Sequence, residues 1–168
     1  MQEDLIRQLD EAVTEVFAVM LNLACTSEPV PVQTTHEYHP SSDPTTPQSG
    51  EPAQDGCFTA SVLFSGPLEG RCCIQMEGRT ATELTSNMMG MAPCEISTDL
   101  CADTAGELCN MIAGCWKKRH PKDLAASHLS CPIVNLGCCS NDAATFREDV
   151  TVLYRFDGHH LTLRLAFN

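Results

Sequence analysis

The amino-acid sequence predicts an α+β fold: an antiparallel sheet of hairpin-connected strands with long helices packed on one face. Apolar residues recur at helical spacing over residues 3–24 and again from about 97 to 119. Around residues 57–76 and 146–167, apolar residues alternate with small or polar ones, as in half-buried strands. Because these strands follow one another along the chain instead of alternating with helices, we expect an antiparallel sheet and segregated helices.

The chain has 168 residues, and we expect a single domain over residues 1–168 with a sizeable core. Its formal net charge of −12 argues against nucleic-acid binding, since phosphate contacts need a basic surface. Most of the excess acid lies in the first 55 residues, which hold ten Asp and Glu against one Arg. The rest of the chain is close to neutral.

The first helix, predicted over residues 3–24, places Leu5 and Leu9 on one face with acids between them. Its apolar run is too short to span a membrane, and the charged N-terminus does not resemble a secretion signal. Residues 25–56 then contain six prolines together with Ser, Thr, Gln and acids. Such a composition cannot bury enough surface to become ordered, so we predict a flexible, acidic, proline-rich insertion.

Turn and capping residues mark the elements that follow. Residues 66–67, Gly-Pro, separate two alternating strands that we predict to form a hairpin. Residues 80–83, Thr-Ala-Thr-Glu, match a capping box that would open a short helix, which Pro93 would end.

A longer helix is predicted from about residue 97 to 119, where three basic residues suit its C-terminal dipole. Residues 126–135 are predicted to form a strand, with Pro132 at a bulge or an edge. The last two strands flank residues 157–158, an Asp-Gly pair that is typical of a tight hairpin turn.

The long helix carries Asp103, Glu107, Asn110 and Gly114 within one narrow arc, at about 100° per residue. A polar stripe is usually only a solvated face, but Asn and Gly are poor helix formers and unusual choices in the middle of a helix. We therefore expect this stripe to meet water or a partner, with Gly114 leaving room for the approach. The adjoining arc would face the core (Leu100, Leu108, Met111, Ile112, Cys115), and a third arc of small residues would allow close packing (Ala102, Gly106, Ala113).

The chain has eleven cysteines, an odd number without any Cys-x-x-Cys pair. We interpret them as small apolar residues in a reducing cytoplasm rather than as a disulfide framework. The histidine pairs at residues 36 and 39 and at 159 and 160 lack further ligands at useful spacing. The sequence therefore predicts no metal site.

The spacing Asp103-x3-Glu107-x2-Asn110, followed after 21 residues by Pro132, resembles the motif of the CheC/CheX/FliY phosphatases of bacterial chemotaxis. ELCNMIAG is similar to the centre of that motif, and SCPIVNLG to the strand around its proline. The opening helix, with EAVTEVFAVML, resembles the start of CheX. The likeness leaves out the proline-rich segment, and the motif is present in one copy, as in CheX.

This resemblance implies a CheX-like fold and a phosphatase that hydrolyses the aspartyl phosphate of a CheY-like response regulator. The regulator would supply Mg²⁺ and a lysine, so this chain would bind no cofactor and would need only to place a water in line. Asn110 would hold that water and Glu107 would pair with the lysine. Asp103, Gly114 and Pro132 would shape the partner-binding surface. The resemblance also implies a homodimer that associates through sheet edges, while the cysteine usage and the lack of a secretion signal predict a cytoplasmic protein.

Two alternatives remain open. The middle domain of flagellar switch proteins is similar in fold, and the chain could be a non-catalytic module that binds a phosphorylated regulator. Residues 73–80 also match the Cys-x5-Arg-Thr pattern of cysteine-dependent phosphatases, which needs a phosphate-binding loop after the cysteine. Against that pattern, Ile74 and Met76 continue the strand alternation, and Glu77 would put a carboxylate beside the phosphate.

Overall fold

A computed structural model describes residues 2–29, 56–67, 69–119, 126–137 and 146–168. The helices are α1 (Gln2–Val16), α2 (Gly78–Met89) and α3 (Thr98–Arg119). The strands are β1 (Thr26–Pro29), β2 (Cys57–Ser65), β3 (Gly70–Glu77), β4 (His128–Leu129), β5 (Ile133–Leu136), β6 (Glu148–Phe156) and β7 (His159–Phe167). The strands form one antiparallel sheet in the order β1-β6-β7-β3-β2, and β4 and β5 both pair with the outer side of β2.

The two faces of the sheet differ in chemistry because side chains alternate along each strand. The inward face packs with the helices into one core, in which Ile74, Val152 and Leu163 are fully buried. A polar row of Ser61, Cys73 and Arg164 crosses the other face and is partly exposed. The predicted α+β fold, with an antiparallel sheet and helices, is confirmed.

Helix α1 continues into a π-helical turn, Phe17–Leu21, and ends at Asn22, which has a left-handed conformation with φ of 52°. A hydrogen bond fixes the helix to the sheet: Tyr154 Oη on β6 donates to Asp10 Oδ1 at 2.8 Å. Burial, with the hydrogen bond to Asp10, raises the pKa of Tyr154 well above its ordinary value. The phenol therefore remains a protonated donor at any ordinary pH.

The predicted flexible insertion, residues 25–56, starts too early in the chain. Its residues 26–29 form strand β1 and pair with β6, in the register Thr26 to Arg155 and Pro29 to Val152. An edge strand needs a hydrogen-bonding partner on one side only, so a strand of three polar residues and a proline suffices. Residues 30–55, the remainder of the predicted insertion up to Gly56, lie outside the described residues.

The predicted capping box at residues 80–83 is wrong. Strand β3 passes directly into α2, whose N-cap is Glu77, with no side-chain hydrogen bond at that cap. Thr80 lies inside the helix and is 2% exposed, because it packs towards the core. The helix start is stabilised instead by the Gly78 N–H, which donates to Gly56 O at 2.7 Å.

The Asp-Gly turn is confirmed. Asp157 and Gly158 both have positive φ, 43° and 78°, and Phe156 pairs with His159 across the turn. Two positive φ values in a two-residue loop match the twist of the flanking strands, which explains the preference for Asp-Gly. In the part of the chain that the structure describes, no helix is long and apolar enough to cross a membrane.

Candidate functional site

Helix α3 carries the candidate site and is anchored at both ends. Ser97 precedes it, and the Ser97 side-chain oxygen accepts a hydrogen bond from the Leu100 N–H at 3.3 Å, which makes Ser97 an N-cap. At the other end, Arg119 donates to Cys115 O at 3.0 Å and forms an ion pair with Glu15 on α1. The predicted start near residue 97 is confirmed.

The core-facing arc of α3 is wide and is displaced by one position from the predicted one. Leu108 and Ile112 are fully buried as expected, whereas Leu100, Met111 and Cys115 are only partly buried and flank the core. Further round this helix, Cys101, Ala105, Cys109 and Trp116 are buried as well. Cys101, Ala105 and Cys109 were not predicted as core, because the predicted arc was placed one position away from the buried one.

The cysteine beneath the site fills space in the core. Cys109 Sγ donates weakly to Ala60 O at 3.5 Å and to Cys72 O at 3.6 Å, joining α3 to β2 and β3. The hydrogen bond with Cys109, together with burial, raises the pKa of the Cys72 thiol well above its ordinary value. All cysteines among the described residues are free thiols, and this pair has the inert character of buried packing residues.

The polar stripe faces outward as the helical spacing predicts. Asp103 and Glu107 are exposed, and Asn110 and Gly114 are partly exposed. Within the described ranges, no hydrogen bond or ion pair joins Asp103, Glu107 or Asn110 to another side chain. Residues three and four apart on a helix are surface neighbours, so a carboxylate and an amide lie side by side, and neither bonds to another side chain of the described residues.

Pro132 lies in the same neighbourhood. The predicted strand over residues 126–135 is in fact two short strands, β4 and β5, and Pro132 sits in the break between them at the sheet edge. Its ring packs against α3 at Gly106, where an added Cβ would lie 3.4 Å from Pro132 Cγ. The structure therefore brings Pro132 to the helix that carries Asp103, Glu107 and Asn110.

Gly114 is less open than the sequence suggested. A Cβ added there would meet Leu129 Cδ1 of β4 at 3.9 Å, an ordinary van der Waals distance. The residue thus faces the edge strand as well as solvent. There is still space for a partner, since among the described residues no other atom outside the backbone of α3 and the adjacent residues lies within 4 Å of the added carbon.

The cysteine-phosphatase alternative does not fit the structure. Residues 73–77 are strand β3, with Ile74 and Met76 buried in the core, and no loop separates Cys73 from α2. Cys73 lies on the sheet face away from the helices, paired with Ser61 and Arg164. A ring of backbone amides around a phosphate cannot form on a paired strand.

Candidate metal ligands do not converge among the described residues, where no group of three or more His, Cys, Asp or Glu could hold a metal ion. His159 lies over the ring of Phe156, with centroids 6.2 Å apart, so it packs beside the hairpin turn. The pair at residues 36 and 39 falls outside the described residues.

Comparison with known proteins agrees with this geometry. Residues 58–137, which include all of α3 and Pro132, match the model of the family described as chemotaxis phosphatase CheX. No curated protein is significantly similar in sequence to the chain.

Solved structures share the fold at low sequence identity. The chain resembles the chemotaxis protein CheX from Vibrio vulnificus, with a TM-score of 0.70 and 15% identity over 100% of this chain and 99% of that one. It resembles a CheX–CheY–BeF3–Mg²⁺ complex from Borrelia burgdorferi, with a TM-score of 0.67 and 17% identity over 97% of each chain. The FliM middle domain from Vibrio alginolyticus is more distant, with a TM-score of 0.58 and 13% identity over 97% of this chain and 90% of that one. The family match and the shared fold agree with the resemblance found in the sequence: residues 58–137 are similar to chemotaxis phosphatase CheX, and the chain has the fold of the CheX structures.

Proposed function

We propose that this chain is a phosphatase that hydrolyses the aspartyl phosphate of a CheY-like response regulator. The observation that carries the proposal is the pair Glu107 and Asn110, presented on one face of α3 with polar atoms that bond to no other described side chain. The pair lies inside the segment that matches the CheX family. The complex from Borrelia burgdorferi that shares this fold contains CheX together with CheY, which supports a CheY-like partner here.

Asn110 is proposed to position the attacking water. An acyl phosphate is already activated, and in-line attack depends mainly on placement and charge stabilisation. The Asn110 amide offers both donors and an acceptor, and as a neutral group it holds a water without repelling the phosphoryl oxygens. Its partial exposure on α3 leaves it accessible to a docked protein.

Glu107 is proposed to dock the partner. An exposed carboxylate one turn from Asn110 can accept a charge-assisted hydrogen bond from a lysine of the regulator. Direct proton abstraction by Glu107 is a poorer role, since its negative charge would be repelled by the phosphoryl group unless a cation stood between them. Glu107 therefore contributes mainly to affinity and orientation.

The remaining predicted residues are proposed to form the rim of the same surface. Asp103 extends the acidic side of the stripe, Gly114 leaves space beside it, and Pro132 bounds it at the sheet edge. We propose that the chain binds no cofactor and that Mg²⁺ is held by the regulator. We also propose that the protein acts in the cytoplasm as a homodimer.

The decisive experiment measures how fast the phosphorylated CheY-like regulators of the same organism lose phosphate in Mg²⁺, with and without this protein. We expect the wild type to accelerate decay, and Asn110→Ala to lower the maximal rate by about 100-fold, because misplacing the attacking water by about 1 Å has an effect of this size. Glu107→Ala should weaken regulator binding by about 10-fold or more, the loss typical of one hydrogen bond to a charged group.

Asn87→Ala is the matched control. Asn87 is an exposed amide on α2 that bonds to Glu83 of its own helix, so its loss should leave the decay rate unchanged. If the wild type binds the phosphorylated regulator without shortening its lifetime, the chain is a binding module like the FliM middle domain that shares its fold, and the catalytic proposal is wrong.

A further inference from the structure

Helix α3 and the edge of the sheet approach each other most closely at Gly106. This residue is buried, and a Cβ added to it would lie 3.2 Å from Val134 Cγ2, 3.4 Å from Pro132 Cγ and 3.5 Å from Pro132 Cβ. The first distance is tighter than most Cβ contacts in proteins, so an added methyl group would require Val134 to give way by a few tenths of an ångström. The absence of a side chain at Gly106 therefore sets the distance between the helix and residues 132–134.

This contact lies beside the polar stripe. At about 100° per residue, Gly106 is only about 40° around α3 from Asn110, whereas the Glu107 side of the stripe points away from the sheet edge. Gly106 is also three residues after Asp103 and four before Asn110, the spacings that make helix residues surface neighbours. The Pro132 ring, seated on Gly106, thus bounds the stripe on its Asn110 side.

We infer that Gly106 is a positioning residue for the proposed phosphatase reaction. Because it has no side chain, Pro132 and Val134 can pack against α3. Residues 132–134 then form a wall beside the Asn110 amide, and Gly106 fixes the position of that wall. The inference rests on the proposed function and adds a residue to it. Gly106 does not touch the regulator or the phosphoryl group. It acts through Pro132, which limits the positions that the amide and its water can occupy.

The physical argument is one of placement. A glycine in the middle of a helix is unfavourable compared with alanine, so an alanine here would help the helix itself while displacing the wall. Stability and activity should therefore respond differently to Gly106→Ala. If the attacking water is displaced by a few tenths of an ångström, the rate should fall less than it does for a displacement of about 1 Å, which lowers it by about 100-fold. We therefore expect the maximal rate to fall by about three- to tenfold.

The test is a double-substitution cycle on the full chain, using Gly106→Ala, Val134→Ala and the two combined. Val134→Ala removes the closest atom, Cγ2, and so makes room for the new methyl group. The decay of the phosphorylated regulator gives the maximal rate and KM of each variant, and urea denaturation reports whether it is folded. Gly56→Ala is the matched control, because a Cβ added at Gly56 would meet no atom of the described residues within 4 Å, apart from its chain neighbours.

We expect Gly106→Ala to lower the maximal rate with KM changed less than about twofold, and Val134→Ala to relieve that loss in the combined variant, since neighbours in contact are not additive. A folded Gly106→Ala protein with the wild-type rate overturns the inference while leaving the proposed function intact. A loss that Val134→Ala does not relieve, or one confined to KM, overturns it as well. If the wild type itself has no activity, the proposed function fails and the inference fails with it.

Discussion

Gly70, the first residue of β3, illustrates how a single residue limits the sheet. It is buried opposite Phe167, and a Cβ added there would lie 2.5 Å from both Ala166 O and Phe167 Cβ, closer than real carbon contacts allow. Neither atom can rotate away, because Ala166 O belongs to the backbone and Phe167 Cβ is fixed by it. The neighbouring strand would have to shift as a unit.

Gly70→Ala is therefore expected to lower the free energy of unfolding by about 1–3 kcal/mol, the usual range for overpacking a filled site. The midpoint of urea denaturation measures the change, with Gly56→Ala again as the glycine control. An unchanged midpoint would show that β7 yields at Phe167 without cost, and that the close approach is not a constraint on the sequence.

The residues of the stripe were predictable, and the wall beside them was only partly so. Asp103, Glu107 and Asn110 share an arc by helical spacing alone, and all three are at least partly exposed. The small-residue arc through Gly106 indicated that something packs closely there. Which segment does so depends on residues 132–134 folding back beside β2, a contact across more than 20 residues that no local pattern contains.

At the scale of elements, α1 and α3 are joined at one end by charge. Arg119 on α3 forms an ion pair with Glu15 on α1, and its Nε lies 3.8 Å from Glu11 Oε2. The hydrogen bond from Arg119, reinforced by its positive charge, lowers the pKa of Glu15 below its ordinary value of 4.5. Since the Glu15 side chain is 52% exposed, solvent and salt weaken the pair.

The pH dependence follows from the direction of that shift. A carboxyl group whose pKa is lower in the folded state stabilises the fold above its unfolded pKa, and this stabilisation is lost as the pH falls through the folded value. Glu15→Gln should therefore lower Tm slightly at pH 7, and its difference from wild type should shrink as the pH falls below 4.5 and disappear once the pH is below the lowered pKa of the folded state. Thermal unfolding between pH 7 and pH 3 measures this.

Glu3→Gln is the control for that series, because Glu3 is an exposed acid on the same helix without an ion pair to any described residue. A Glu15→Gln protein whose Tm differs from wild type equally at pH 7 and pH 3 would contradict the ion pair as the cause. Raising the salt concentration at pH 7 should also reduce the difference, as expected for an exposed pair.

Elements with strong periodicity or turn residues were predicted well, and those defined by tertiary pairing were not. The Asp157-Gly158 hairpin needs only its own two residues to adopt positive φ. Strand β1, by contrast, has no apolar alternation, and its residues are strand only because β6 offers them a free edge. Thr80 likewise has the chemistry of a cap, but the core packing of α2 places it inside the helix.

At the scale of the whole molecule, the sheet has two unlike edges. One is β1, a polar strand of sequence TSEP. The other includes β5, which pairs only with β2 among the described strands and exposes Ile133 by 51% and Leu136 by 64%. On the adjacent strand β2, the apolar side chain of Leu63 is also exposed, by 38%. An unpaired edge with exposed aliphatic side chains favours association with another strand.

The proposed homodimer is therefore expected to form through the β5 edge. Sedimentation velocity of the wild type should show a dimer at micromolar concentration, and Ile133→Lys combined with Leu136→Lys should shift it to monomer, because charge on an edge strand opposes pairing. Ser27→Lys makes the same kind of change on β1 at the opposite edge and should leave the dimer intact. A monomeric wild type would rule out the homodimer, and dissociation by Ser27→Lys alone would assign the interface to β1.

Because β5 begins directly after Pro132, a dimer through this edge would also hold the wall of the proposed site. The monomeric variant should therefore hydrolyse the regulator's phosphate more slowly than wild type.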